Sequence, residues 1–198
     1  MNPLTNDLTA GIILAAGSAS RMGQPKLLLP WKGEALIHHA ARTALSCLKT
    51  VVVVTGAQAD DIQQALAGLS VQIVHNLAWM DGQSTSVQVG IRALPANISS
   101  AIFLLGDQPY VSTALIQSRV TAYAQTRPAI LAPYIGGKRS NPVLFDRSMF
   151  ETLCQLQGDA GARTIFAQYP PTPFDWPDER LLFDVDTPED YQRLLRDE

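Results

Sequence analysis

The feature that most constrains this chain is a regular exchange of short, branched apolar runs with amphipathic stretches. Gly11 to Ala16, Val51 to Thr55, Val71 to His75, Ala101 to Leu105 and Ala129 to Tyr134 are dense in Ile, Val, Leu and Ala and read as buried strands. Between them, Leu36, Ile37, Ala40, Ala41, Ala44 and Leu45 recur at helical spacing, as do Ile62, Ala65, Leu66 and Leu69. Strand and helix alternating at this interval imply right-handed crossovers. The sequence therefore predicts a three-layer α/β/α architecture with a mostly parallel central sheet covered on both faces. In such a sheet, ligands bind beyond the carboxyl ends of the strands.

The last third is less regular. Pro170, Pro171, Pro173 and Pro177 interrupt any long helix, and Leu181 to Val185 reads as a final strand. Thr187-Pro188-Glu189-Asp190 then combines an N-cap, a proline at the first helical position and acidic first-turn residues, which predicts a terminal helix through Leu195. With 198 residues, 46% hydrophobic and 17% charged, one domain with a sizeable core is expected over residues 1–198.

Composition narrows the partners. A net charge of −3 gives no general attraction to polyphosphate, so no nucleic-acid partner is expected. Cys47 and Cys154 stand far apart without a Cys-x-x-Cys pair, which reads as two reduced thiols in a reducing cytoplasm rather than a zinc site. No apolar run approaches the roughly 20 residues that span a bilayer, and Met1 to Thr9 lacks the basic-then-apolar plan of a signal peptide. The expectation is a soluble cytoplasmic protein with no membrane partner. His38, His39 and His75 occupy positions that ordinary structural histidines fill.

The stretch after the first strand carries most of the chemistry: Leu14-Ala15-Ala16-Gly17-Ser18-Ala19-Ser20-Arg21-Met22-Gly23-Gln24-Pro25-Lys26. Small residues let the backbone curl against a ligand, successive N–H groups can cradle an anion, and Arg21 and Lys26 add positive charge on either side. A triphosphate requires those features. The stretch lacks the Gly-Lys-Ser/Thr ending of a Walker loop and the G-x-G-x-x-G dinucleotide spacing. Farther on, Leu105-Gly106-Asp107-Gln108-Pro109 sets a carboxylate at the carboxyl end of another strand, where it can hold Mg²⁺ or cap a turn. In Asp184-Val185-Asp186, residues two apart share one face of an extended segment, so a second carboxylate can point the same way. Gly82-Gln83-Ser84-Thr85-Ser86 reads as a helix start dense in hydroxyls.

The first of these patterns resembles the signature of nucleotidyltransferases and sugar-nucleotide pyrophosphorylases. Together with the Gly-Asp-x-Pro element and the Asp-x-Asp-Thr-Pro-Glu-Asp ending, it is similar to the molybdenum cofactor cytidylyltransferase-like NTP transferases over nearly the full length, from Gly11 to Tyr191. The resemblance implies a Rossmann-like nucleotidyltransferase fold and the transfer of CMP from CTP to a phosphorylated pterin, molybdopterin or the molybdenum cofactor, with release of pyrophosphate. It implies that Arg21 and Lys26 hold the triphosphate, that Asp107 and Asp186 face the metal, taken as Mg²⁺, and that Leu14, Ala15, Ala16, Gly17 and Ser18 wrap the nucleotide. Gly82, Ser84 and Thr85 would contact the base, and Ala15-Ala16-Gly17 in place of Ala-Gly-Gly points to CTP rather than GTP. Arg139-Ser140-Asn141-Pro142 and Gly158-Asp159-Ala160-Gly161-Ala162-Arg163 match acceptor-side elements, although the family often carries Gly-His-Pro where this chain has Ser140-Asn141-Pro142. A molybdoenzyme or its chaperone is a further implied partner. A sugar or alditol phosphate acceptor, or a cofactor carrier without turnover, are the alternatives.

Overall fold

The computed structural model describes residues 8–18, 22–159 and 161–197. Strand β1 (Thr9–Ala15) leads to a small antiparallel ribbon of β2 (Pro30–Trp31) and β3 (Glu34–Ala35), then to α1 (Leu36–Leu45), β4 (Thr50–Thr55), α2 (Ala59–Ala65), β5 (Gln72–His75), α3 (Gln83–Arg92) and β6 (Ser100–Leu105). After these come α4 (Thr113–Thr126), β7 (Ile130–Ile135), β8 (Lys138–Arg139), β9 (Val143–Asp146), α5 (Phe150–Cys154), β10 (Thr172–Asp175) and α6 (Pro188–Arg196). The central sheet runs β10-β7-β9-β6-β1-β4-β5, with β8 paired to β7.

Alternation along β1 shows how the sequence builds two cores. Ile13 and Ala15 face one side of the sheet, where they meet α1, α2 and α4 through Ile37, Ile62, Leu115 and their neighbours. Ile12 faces the other side, among Val87 and Ile91 of α3 and Leu153 of α5. Both faces are therefore buried, which explains why β1, β4 and β6 are unbroken apolar runs rather than alternating ones. A third cluster of Met22, Leu29, Trp31, Leu36, Val185 and Leu194 ties the segment after β1 to the terminal helix. Among the described residues no helix is long and apolar enough to cross a membrane.

The sheet is parallel except for β8 and β9. Strand β9 runs antiparallel between β6 and β7, with Ile102 opposite Leu144 and Leu131 opposite Leu144 on its other side. The return begins at Gly136 and Gly137, both at positive φ, as a two-residue hairpin between β7 and β8 requires. Arg119 of α4 is fully buried beneath this region. Its Nη2 donates to the carbonyls of Leu131 (2.7 Å) and Pro142 (3.0 Å), and its guanidinium lies 5.3 Å from the Phe174 ring centre. One side chain thus clips β7, β10 and the segment entering β9 together, and burial pushes its pKa down to about 9.

Leu181 to Val185 differs from the strand expected there. Glu179–Leu182 is a 3₁₀ turn capped by Asp178, whose side chain accepts from Arg180 N–H. The strand position beside β7 is taken by β10, nearer in the chain, which tolerates Pro173 because it lies at the sheet edge. The terminal helix forms as expected, with a reciprocal Thr187–Asp190 capping box and Pro188 in its first turn.

Gly90 of α3 tests how tightly the helix layer sits on the sheet. A Cβ built there would lie 2.6 Å from Ile12 Cγ2 and 3.2 Å from Val54 Cγ2. Helix propensity favours alanine over glycine by about 1 kcal/mol, but overpacking against two stiff β-branched side chains costs about 1–3 kcal/mol. Gly90→Ala should therefore lower the urea midpoint, and a raised midpoint would show that the layers separate freely.

Candidate functional site

Three chain segments converge where β1 and β6 end side by side, with Leu14 paired to Leu105. Beyond β6, Gly106 carries no side chain, and a Cβ there would meet Leu27 at 3.0 Å and Ile37 at 3.1 Å. That close approach seats the 3₁₀ turn Lys26–Leu28 directly against Asp107. Lys26 Nζ donates to Asp107 Oδ2 at 2.5 Å and to Asp186 Oδ1 at 2.7 Å. The third segment is fixed by the backbone, since Val185 N–H donates to the Asp107 carbonyl at 3.0 Å.

Asp186 is held in turn by the start of α6. Asp190 Oδ2 accepts from the N–H groups of Asp186 (3.2 Å) and Thr187 (2.9 Å), and from the Thr187 hydroxyl (2.8 Å). Asp184 turns elsewhere, accepting from Gln108 Nε2 at 2.7 Å. Burial works against the Lys26 ammonium, yet Asp107 first and then Asp186 outweigh it and raise its pKa above the ordinary lysine value. Burial pushes the Asp184 carboxyl up against the hydrogen bond from Gln108, and the charges of Asp107 and Asp186 add to the rise.

A cleft of about 380 Å³ opens above this cluster. Leu14, Ala15, Ala16 and Gly17, the Lys26–Asp107 pair, and Trp79, Gln83, Ser86 and Asp159 all line it. Ser18 is exposed beside it, and Arg21 lies outside the described residues. The hydroxyl-rich start of α3 divides in a way that the sequence does not show. Thr85 Oγ1 donates to the carbonyls of Ala78 and Gly82 and accepts from Asn76 Nδ2, and Ser84 is buried, so the side chains that line the cleft are those of Gln83 and Ser86. Gly82 sits at φ +109° with the Gly158 backbone where a Cβ would be, which lets the segment at Gly158 and Asp159 close over the start of α3. Gln83 N–H donates to Asp159 Oδ1 at 3.3 Å, and Ser84 N–H to the Gly158 carbonyl at 3.2 Å.

A second cleft of about 340 Å³ shares Leu14, Gln83 and Leu105 with the first, so the two adjoin. Arg139, Asn141 and Arg163 line it with the rings of Phe103, Phe145 and Phe166. The Arg139 guanidinium lies 4.3 Å from the Phe166 ring centre. Two arginines in one cleft suit an anion.

The carboxylates fit a hard divalent cation. Asp107 Oδ1 is buried without a hydrogen-bond partner, and the Lys26 ammonium pairs with both Asp107 and Asp186. Among the described residues no group of three or more His, Cys, Asp or Glu side chains could hold a metal by itself. That suits Mg²⁺ or Mn²⁺, which need only one or two protein carboxylates when substrate phosphates complete the shell.

Residues 11–172 match the model of the MobA-like NTP transferase domain. The chain is 32% identical to nicotine blue oxidoreductase of Paenarthrobacter nicotinovorans, covering 93% of this chain and 95% of that protein. It is 26% identical to the molybdenum cofactor cytidylyltransferase of Escherichia coli, covering 91% and 92%. Among solved structures, that of Rv0371c from Mycobacterium tuberculosis in complex with manganese superposes with a TM-score of 0.79 at 25% identity, covering 96% of this chain and 98% of that one.

The position of Lys26 leads to an outcome opposite to that of removing a ligand. Its ammonium competes with a cation for the same two carboxylates, so Lys26→Met should bind free Mn²⁺ more tightly than wild type when no nucleotide is present. Titration of the Mn²⁺ paramagnetic resonance signal measures this, with a gain of about tenfold for roughly 1.4 kcal/mol of relieved competition. Weaker Mn²⁺ binding by the variant would show that Lys26 organises the carboxylates rather than competing for them.

Proposed function

Because this chain belongs to the MobA-like NTP transferase family, we propose that it transfers CMP from CTP to a phosphorylated pterin, molybdopterin or the molybdenum cofactor, and releases pyrophosphate. The observation that carries the reading is the pair of adjoining clefts, one lined by Lys26 and Asp107 and the other by Arg139 and Arg163. A nucleotide in the first and an acceptor phosphate in the second can meet at their shared wall.

In this reading Lys26 leaves its carboxylates for the triphosphate, and the backbone of Ala16 to Ser18 wraps the phosphates. Arg21 shares the charge by its place in the sequence. Asp107 and Asp186 would hold Mg²⁺, which would neutralise charge on the phosphates. An oxygen of the acceptor phosphate attacks the α-phosphorus of CTP in line. The new P–O bond forms as the bond from the α-phosphorus to the bridging oxygen breaks, and pyrophosphate leaves with that oxygen. The attacking phosphate is already ionised, so no side chain needs to take a proton. The redox name of one relative does not outweigh this cluster, because a shared fold hosts unrelated chemistries.

Pyrophosphate release from protein, Mg²⁺, molybdopterin and each nucleoside triphosphate in turn tests the proposal. CTP should give the highest kcat/KM, because the Ala16 methyl narrows the nucleotide side of the cleft. Asp107→Asn keeps the size of the side chain and should lower turnover by about 10²-fold or more, with little change in Tm. Turnover of CTP with a sugar phosphate but not with molybdopterin would move the acceptor to the sugar class. No release with any triphosphate would leave a carrier role.

A further inference from the structure

We infer that Trp79 is the platform on which the donor nucleobase stacks, an inference that rests on the reading of the first cleft as a nucleoside triphosphate site. The cleft is chemically polarised. Among its described lining residues Lys26 is the one cation and is paired with Asp107, whereas Trp79 is the one aromatic side chain and shares the lining with Gln83, Ser86 and the carboxylate of Asp159. A triphosphate held by Lys26 leaves its base to the uncharged part of the lining, and an indole offers a flat apolar face to any base.

The turn that carries Trp79 is built for position rather than for burial. Its other large apolar side chains face solvent, Leu77 being 84% and Met80 77% exposed. The polar network around it is nearly complete. Buried Asn76 accepts from Ala78 N–H at 3.0 Å through Oδ1, and donates through Nδ2 to the hydroxyls of Thr85 (2.8 Å) and Ser86 (2.9 Å). Thr85 Oγ1 donates back to the Ala78 carbonyl at 3.0 Å. The residue before Trp79 is therefore fixed through both its N–H and its carbonyl.

Gly56 completes the wall. A Cβ at that position would lie 2.8 Å from Trp79 Cβ, 2.8 Å from Ala16 Cβ and 2.5 Å from the Ala16 carbonyl oxygen. Trp79 therefore rests directly on the end of β4 and beside the loop after β1, and its distance from that loop is set by backbone contact. Such a wall is preorganised, so stacking on it needs no rearrangement. It also gives the Asn76–Thr85 contacts a purpose: Thr85 acts on the base through Trp79.

Binding rather than turnover tests this, with CTP, GTP and inorganic tripolyphosphate as probes in the presence of Mg²⁺. The chain has three tryptophans, and Trp31 is only 3% exposed. CTP should quench the emission of the wild type, and tripolyphosphate, which has no base, should bind without that quench. Trp79→Phe should keep CTP affinity close to wild type and lose the quench. Trp79→Ala should weaken CTP about fivefold to a hundredfold while leaving tripolyphosphate affinity unchanged. Unaltered CTP affinity in Trp79→Ala, or an equal loss for CTP and tripolyphosphate, overturns the stacking role, the latter because it marks a merely structural residue. A wild type that binds neither CTP nor GTP overturns the donor-site reading itself, and the stacking role with it.

Discussion

Leu14 of β1 lies opposite Leu105 of β6 in a parallel pairing that begins five residues earlier at Thr9 and Ser100, and this register fixes where both strands end. A parallel pair sends both chains out of the sheet on one side, so the loop after β1 and the turn after β6 emerge together. A slip of one residue would turn every side chain of β1 to the opposite face, exchanging Ile12 for Ile13 between two differently shaped cores. Register is therefore set by burial far from the cleft. The placement of Lys26 beside Asp107 follows from it once Gly106 permits the close approach of Leu27.

What could be read from the sequence was whatever local pattern decides. The buried parallel strands show as apolar runs because both faces are covered, and the terminal helix shows through Thr187, Pro188 and Asp190 because capping is a matter of neighbouring residues. Strand β9 was not legible as an antiparallel insertion, since Val143 to Phe145 is as apolar as any parallel strand and direction leaves no mark on composition. Leu181 failed as a strand residue for a related reason. It is buried as a strand residue would be, but a nearer segment with a poorer pattern occupies the edge.

The cleft divides along the same line. The glycine-rich loop and Asp107 sit in short motifs whose residues touch what their neighbours touch. Trp79, Gln83 and Ser86 were missed because their direction depends on a network that begins at Asn76 and closes at Thr85. The sequence pointed to the hydroxyls of Ser84 and Thr85, whereas Thr85 bonds within the protein and Ser84 is buried. Asn76 was the available signal: an amide at the end of a strand, 1% exposed, with acceptors ten residues on.

The contact between Lys26 and Asp186 spans 160 residues of chain. A ribosome adds residues from the amino end, and the parts already made can begin to fold while the rest is still being added. Until the segment around Asp186 has emerged and α6 has closed its cap through Asp190, the carboxylate pair around Lys26 cannot exist. Lys26 is therefore made early and meets its second carboxylate last, so a nascent chain can bury its strands before this cluster is complete.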